Sequence, residues 1–471
     1  MAFWTNPLVY VLIFFGLCLC HLVFLDIGVY DTKATHYPRM DRVELPDPQV
    51  PLTELLAAEP SIAPWHAARH EWDESGDNCS DSEIFAMLAG KAVRNDEAIA
   101  LWRKQHELGI AATWAMLARS GDRLWTYPVS QDANFANLPL FELGEPKKMA
   151  KDILMECRLA VDNHARCVEM AVMGKSLGNK LVAYDSSLIH YLVTGTIRGM
   201  IDQSALVAAR SCLQARDSVR LEQLAAYYPD GFADRQQASL ANAIRAEFHI
   251  GFNTVVWLRD QWHNQGEFAD MMSWSKTETL AWYWTVLRVQ PNRHASQLAG
   301  KMDALIQQLS VPLATHSLRP TKAQITLWHQ FSPTPRAGLA MFDKLCDDLA
   351  VGGNADTRIF AFYFRGIAQN TLCRTVLAIS RYRMANNGSL PASLADLVPV
   401  YLPAVPQDPL DAKPLRYDAA SGRLWSIGTD CKDDGGIATE SASDFLPGFQ
   451  TDPKNPDLLV DLRAFFPRSE P

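Results

Sequence analysis

Leu8 to Leu25 reads LVYVLIFFGLCLCHLVFL, eighteen apolar-dominated positions broken only by His21. At about 1.5 Å per residue this helix is close to the ~30 Å thickness of a bilayer's hydrocarbon core. The preceding MAFWTNP carries no Lys or Arg, unlike the basic start of a cleaved leader. Residues 1–30 are therefore expected to be a retained transmembrane anchor. Lys33, Arg39 and Arg42 follow it, and the positive-inside rule sets them on the cytoplasmic side. Residues 31–78, with Pro46, Pro48, Pro51, Pro60 and Pro64, read as a proline-rich linker.

From 79 to 350 the apolar positions recur at helical spacing, and alternating β-branched runs are nearly absent. Ser80 or Asp81 is placed to cap a helix through IFAMLAGKAV, and Asn95 one through IALWRKQHELG. Pro146 to Met173 reads as a long helical stretch. SLIHYLVTGTIRGMI, after Asp185 and Ser186, is apolar on more than one face, which predicts a buried helix. The expected body is a stack of helical hairpins without a strict repeat. Its tryptophan-rich stretch, Trp257, Trp262, Trp274, Trp282 and Trp284, fits core packing or the wall of a glycan or peptide groove.

Residues 351–462 change character. Ala361, Phe364, Ala368, Leu372, Val376 and Ile379 lay one apolar stripe along a helix, which Asn386-Asn387-Gly388 ends. Pro391, Pro399, Pro403, Pro406 and Pro409 then mark a turn-rich stretch. Leu415 to Tyr417 and Leu424 to Ile427 flank Asp418–Gly422 as a short hairpin, and 463–471 form a tail. The predicted class is mainly α: a transmembrane helix, a multi-helix body, and a small α+β module built on a long helix and a hairpin.

A net charge of −9 excludes a basic nucleic-acid binder. The nine cysteines include no Cys-x-x-Cys pair, so they are expected to be buried small hydrophobes rather than a zinc or redox motif.

The densest candidate chemistry is Gly428-Thr-Asp-Cys-Lys-Asp-Asp-Gly-Gly436. Crowding Asp430, Asp433 and Asp434 within five residues is unfavourable unless a positive charge sits among them. A calcium ion answers that need, because it takes six to eight oxygens from a sharply turned loop. The spacing is not that of an EF-hand.

The run RYRMANNGSLPASLADLVPVYLPAVPQDPLDAKPLRYDAASGRLWSIGTDCKDDGG resembles the end of the major pseudopilins of type II secretion. That resemblance implies a calcium site with Asp430, Asp433 and Asp434 as side-chain ligands. It further implies a carbonyl from Trp425 or Ser426 and closure by an acid within Asp457–Asp461. The chain as a whole is similar to a family of bacterial membrane-anchored envelope proteins, on RLWTYPVSQDANFANLPLFELGEPKKMAKDILMECRLAV and on the same ending. This second likeness implies an extracytoplasmic body, opposite to the positive-inside signal, and no activity. The N-terminus has neither the basic leader nor the Gly-to-Glu arrangement of a prepilin, which argues against a processed filament subunit.

Gly174-Lys-Ser176-Leu-Gly178 matches the Gly-x-Ser-x-Gly pattern of hydrolases but follows the helical VEMAVM, where a helix-to-helix turn is expected. His66 and His70 share a helical face, yet Ala67 stands where a zincin has its glutamate. No reaction is legible. The expected function is that of a membrane-anchored envelope protein with a helical interaction domain, an envelope protein partner, and a calcium-stabilised C-terminal module. The alternatives are a glycan-directed enzyme or binding protein using the tryptophan-rich region, and a secretion or pilus component.

Overall fold

A computed structural model describes residues 81–88, 91–119, 144–182, 188–260, 306–315, 355–437 and 457–465. The apolar N-terminal segment, the linker, His66, His70 and the tryptophans at 262, 274, 282 and 284 lie outside the described residues, as does the side chain of Trp257. Among the described residues no helix is long and apolar enough to cross a membrane.

The described chain is mainly helical with one small antiparallel sheet. In order, α1 is Asp81–Leu88, α2 Asp96–Arg119, α3 Gly144–Leu159, α4 His164–Val182, α5 Leu188–Ala215, α6 Ser218–Ala226, α7 Phe232–Asp260 and α8 Ala355–Ala385. Strands β1 (Arg416–Asp418), β2 (Arg423–Ser426) and β3 (Leu458–Asp461) follow, and α9 (Leu462–Phe465) closes the described chain.

Capping sets several helix starts. Asn95 Oδ1 accepts the amides of Glu97 and Ala98 at 3.1 Å each and so opens α2 as expected. Asp217 likewise accepts the Arg220 amide at 3.0 Å to open α6. The helical stretch expected from Pro146 to Met173 forms as two helices, α3 and α4. The break falls at Ala160–Asn163, where Asn163 Oδ1 accepts the Arg166 amide at 3.2 Å and starts a new helix. A side-chain acceptor at the head of α4 satisfies an otherwise orphaned amide, and apolar periodicity does not register that event.

Helix α5 is the centre of the body. It packs against α3, α4, α6, α7 and α8, which explains why its apolar residues run round more than one face. Gly174-Lys-Ser176-Leu-Gly178 is not a turn between helices; it lies inside α4. A Cβ on Gly174 would come within 3.2 Å of Ile153, and one on Gly178 within 3.0 Å of Ile201. The two glycines thus let α4 sit close to α3 and α5.

Between them, Lys175 is directed inward. Its Nζ lies 3.2 Å from Asp202 Oδ1 on α5 and 3.8 Å from the centroid of the Tyr228 ring. Tyr228 donates its hydroxyl to the same Oδ1 at 2.8 Å. Burial, and then the charge of Asp202, push the phenol well above its ordinary pKa, so it stays a donor.

The stripe on α8 packs against α5, α6 and α7, while the same helix also touches β2 and β3. Asn387 at φ 54° and Gly388 at φ 83° end it, with the Gly388 amide returning to the Arg383 carbonyl at 2.8 Å. The expected hairpin forms between β1 and β2, pairing Tyr417 with Leu424. The third strand, β3, pairs Val460 with Leu424 on the other side of β2. Phe360 and Ile379 of α8, Leu424 and Val460 of the sheet, and Ile153 and Ile201 of the body belong to one buried apolar cluster. Cys157, Cys167, Cys212 and Cys373 are buried in it, in keeping with their expected role.

Candidate functional site

Ser426, Asp430, Asp433 and Asp434 lie on β2 and the loop that leaves it. The loop turns through Cys431 (φ 60°), Gly435 (φ 81°) and Gly436 (φ 59°). Gly436 is needed twice over, because a Cβ there would stand 2.8 Å from the Trp425 ring as well as suffer the positive φ.

What binds the acidic side chains is protein. Asp433 accepts Trp425 Nε1 at 2.9 Å and the Gly435 amide at 3.1 Å on one oxygen, and Arg416 Nε at 3.1 Å on the other. Burial raises the pKa of Asp433, but those bonds and the guanidinium outweigh it, leaving the carboxyl below its ordinary value. Ser426 is buried and donates its hydroxyl to Asp408 at 2.9 Å. Exposed Asp430 accepts the Lys432 amide at 3.2 Å.

Asp457 reaches the loop. Its carboxylate accepts the amides of Gly428, Asp434 and Gly436, each at 3.0 Å. Burial nonetheless holds its pKa above the ordinary value.

Arg416, which sequence reasoning missed, is the cation among these acids. Its guanidinium forms a two-pronged pair with Asp411 at 2.5 and 3.1 Å, meets Asp408 at 3.0 Å, and reaches Asp433 through Nε. Asp408 is fully buried and also accepts the Leu410 and Ile427 amides at 3.0 and 2.9 Å. Arg416 thus supplies a positive charge to Asp433, one of the three crowded acids, and shares it with Asp408 and Asp411. Asp408 and Asp411 sit in the Asp-Pro segment and Arg416 begins β1, so no single motif linked them to the loop.

A second constellation was not legible in the sequence. Asp81 opens α1, His106 lies in α2 and Asp152 in α3. Among the described residues they are the one set of three acidic, histidine or cysteine side chains whose donor atoms all lie within 4.8 Å of one another. Asp430, Asp433 and Asp434 do not form such a set. His106 Nε2 is 3.7 Å from Asp81 Oδ1 and 3.6 Å from Asp152 Oδ1. Trp102 stacks on the imidazole with ring centroids 4.2 Å apart, and its Nε1 donates to Asp81 Oδ1 at 3.0 Å. Lys151 Nζ holds Asp81 Oδ2 at 2.6 Å. Burial raises the pKa of Asp81, but the bonds from Lys151 and Trp102 bring it below its ordinary value. Of the two cap candidates, Ser80 lies outside the described residues, and the Asp81 carboxylate holds Trp102 Nε1 and Lys151 Nζ.

Set against protein-family models, curated proteins and solved structures, the chain finds no match.

Proposed function

We propose that this chain is a membrane-anchored envelope protein whose helical body is an interaction scaffold and whose C-terminal segment is a pseudopilin-like module mounted on it. The observation that carries the reading is the double membership of α8. One stretch of that helix packs among α5, α6 and α7, and it also carries the sheet, so body and module share a buried core. The ionisable clusters described above bind main-chain amides, indoles and each other across elements, which serves rigidity.

A calcium ion in the last loop is the second reading. It is favoured by exposed Asp430 and half-buried Asp434, two further acids on the turned segment that Asp457 gathers. Arg416 makes the ion unnecessary for neutralising Asp433.

Membranes bearing the full chain are expected to retain it through an alkaline carbonate wash, and to release a chain that starts at residue 31. Release of the full chain would remove the anchor. Separate unfolding of the C-terminal segment and the body, in the same detergent-solubilised protein, would remove the mounted scaffold.

A further inference from the structure

We infer that Asp81, His106 and Asp152 form a binding site for a divalent transition-metal ion of borderline character, with zinc as the ion of choice. The inference goes beyond the scaffold reading and does not rest on it.

Three elements contribute one donor each. Metal–ligand bonds of about 2.1 Å place neighbouring donors about 3.4 Å apart in a tetrahedral site. The observed Nε2–Oδ1 separations of 3.7 and 3.6 Å need to contract by only a few tenths of an ångström. One imidazole and two carboxylates form an N,O set that suits zinc, cobalt or nickel; the imidazole disfavours calcium, which takes oxygen. Three protein ligands leave a tetrahedral ion its fourth position for water.

The surroundings fix the ligands in the way metal-binding histidines require. His106 Nδ1 lies 2.8 Å from the Trp102 carbonyl oxygen, which fits Nδ1 carrying the proton and Nε2 directed at the two carboxylates. Trp102 is fully buried, so the indole stacked on the imidazole is itself immobile. Trp102 Nε1 and Lys151 Nζ each take one oxygen of Asp81, and a carboxylate oxygen has a second lone pair for an ion. Two aspartates, one lysine and a neutral imidazole sum to −1, so a divalent cation leaves +1 rather than a concentrated charge. One turn on along α3, Glu156 is already met by Arg103 at 3.0 Å and Arg166 at 3.4 Å. The His106, Asp152 and Asp81 side chains are 13%, 5% and 28% exposed, which limits the access of water to the protein ligands.

The test uses the full chain, purified without a polyhistidine tag, stripped with chelator and titrated with Co²⁺. One equivalent is expected to give visible d–d bands that Zn²⁺ abolishes and Ca²⁺ does not. His106→Gln and Asp152→Asn are each expected to weaken Co²⁺ binding by more than the roughly 10–100-fold change typical of an outer partner. Glu222→Gln, at an exposed position paired with Arg381 and outside both clusters, is expected to leave it unchanged. Absence of the bands at millimolar Co²⁺, or bands that survive both ligand replacements, would overturn the site. If the variants fail to fold, X-ray absorption of the zinc-loaded unmodified chain decides. One imidazole with oxygen neighbours supports the assignment, and a sulfur shell from the cysteines refutes it.

Discussion

Replacing Lys175 by methionine removes an ammonium from the middle of the helical body while keeping an unbranched apolar stem against Tyr228 and Phe232. The Lys175 and Asp202 side chains are 6% and 3% exposed, so water does not substitute for the lost partner. Breaking a buried ion pair by removing one member costs about 3–5 kcal/mol, because the remaining charge stays buried. Asp202 keeps the Tyr228 hydroxyl at 2.8 Å, one bond to a charged acceptor, so the lower end of that range applies. About 3 kcal/mol is expected. At roughly 2–4 °C per kcal/mol for a body of this size, the midpoint falls by about ten degrees. Lys175→Met with Asp202→Asn removes both charges and preserves an acceptor for Tyr228. Its loss is expected to be smaller than that of Lys175→Met alone, a coupling on the order of 1–3 kcal/mol. Helical circular dichroism of the detergent-solubilised full chain in increasing urea measures Lys175→Met, Asp202→Asn and the double variant. A single-variant loss below about 1 kcal/mol, or a double variant as unstable as the sum of its singles, would refute the reasoning.

Two further outcomes follow from charged groups elsewhere. Burial holds the His190 imidazole at a pKa of about 4, against about 6.5 in an unfolded chain. The unfolded state therefore binds the extra proton first, so this component of stability is complete above pH 6.5 and is lost as the pH falls toward 4. At 1.36 kcal/mol per unit it amounts to roughly 3 kcal/mol, and the stability difference between wild type and His190→Gln is expected to change over that window alone. A difference constant from pH 7 to 4 would contradict it. Arg416→Met strands Asp408, which is fully buried, and is expected to destabilise the C-terminal segment by about 3 kcal/mol. In the unmodified chain ~2 mM calcium is expected to leave the melting midpoint unchanged. A calcium site with a dissociation constant of ~10⁻⁴ M would instead add about 2 kcal/mol, and that gain would establish the second reading.

Features carried by near neighbours were legible in the chain. Asn95 caps α2, Asn387 and Gly388 end α8, and the hairpin closes across Asp418–Gly422, because each depends on a few consecutive residues and their allowed backbone angles. The all-round apolar character of α5 likewise announced its burial. The break at Asn163 was missed because the apolar period continues across it while one side chain reorganises the amides. Gly174 and Gly178 looked like turn residues, and only the nearness of Ile153 and Ile201 shows them to be contact points.

The sites divide in the same way. Asp430, Asp433 and Asp434 stand out because like charges lie side by side, and the sequence by itself determined that something positive had to be near them. That Asp433 meets Arg416 was decided by the fold, which brings β1 and the turn at 408–411 to the loop. Asp81, His106 and Asp152 lie 25 and 46 residues apart and belong to no shared motif. Only the packing of α1, α2 and α3 brings their donors together, since side chains on separate helices meet through tertiary contact and leave no period in the chain.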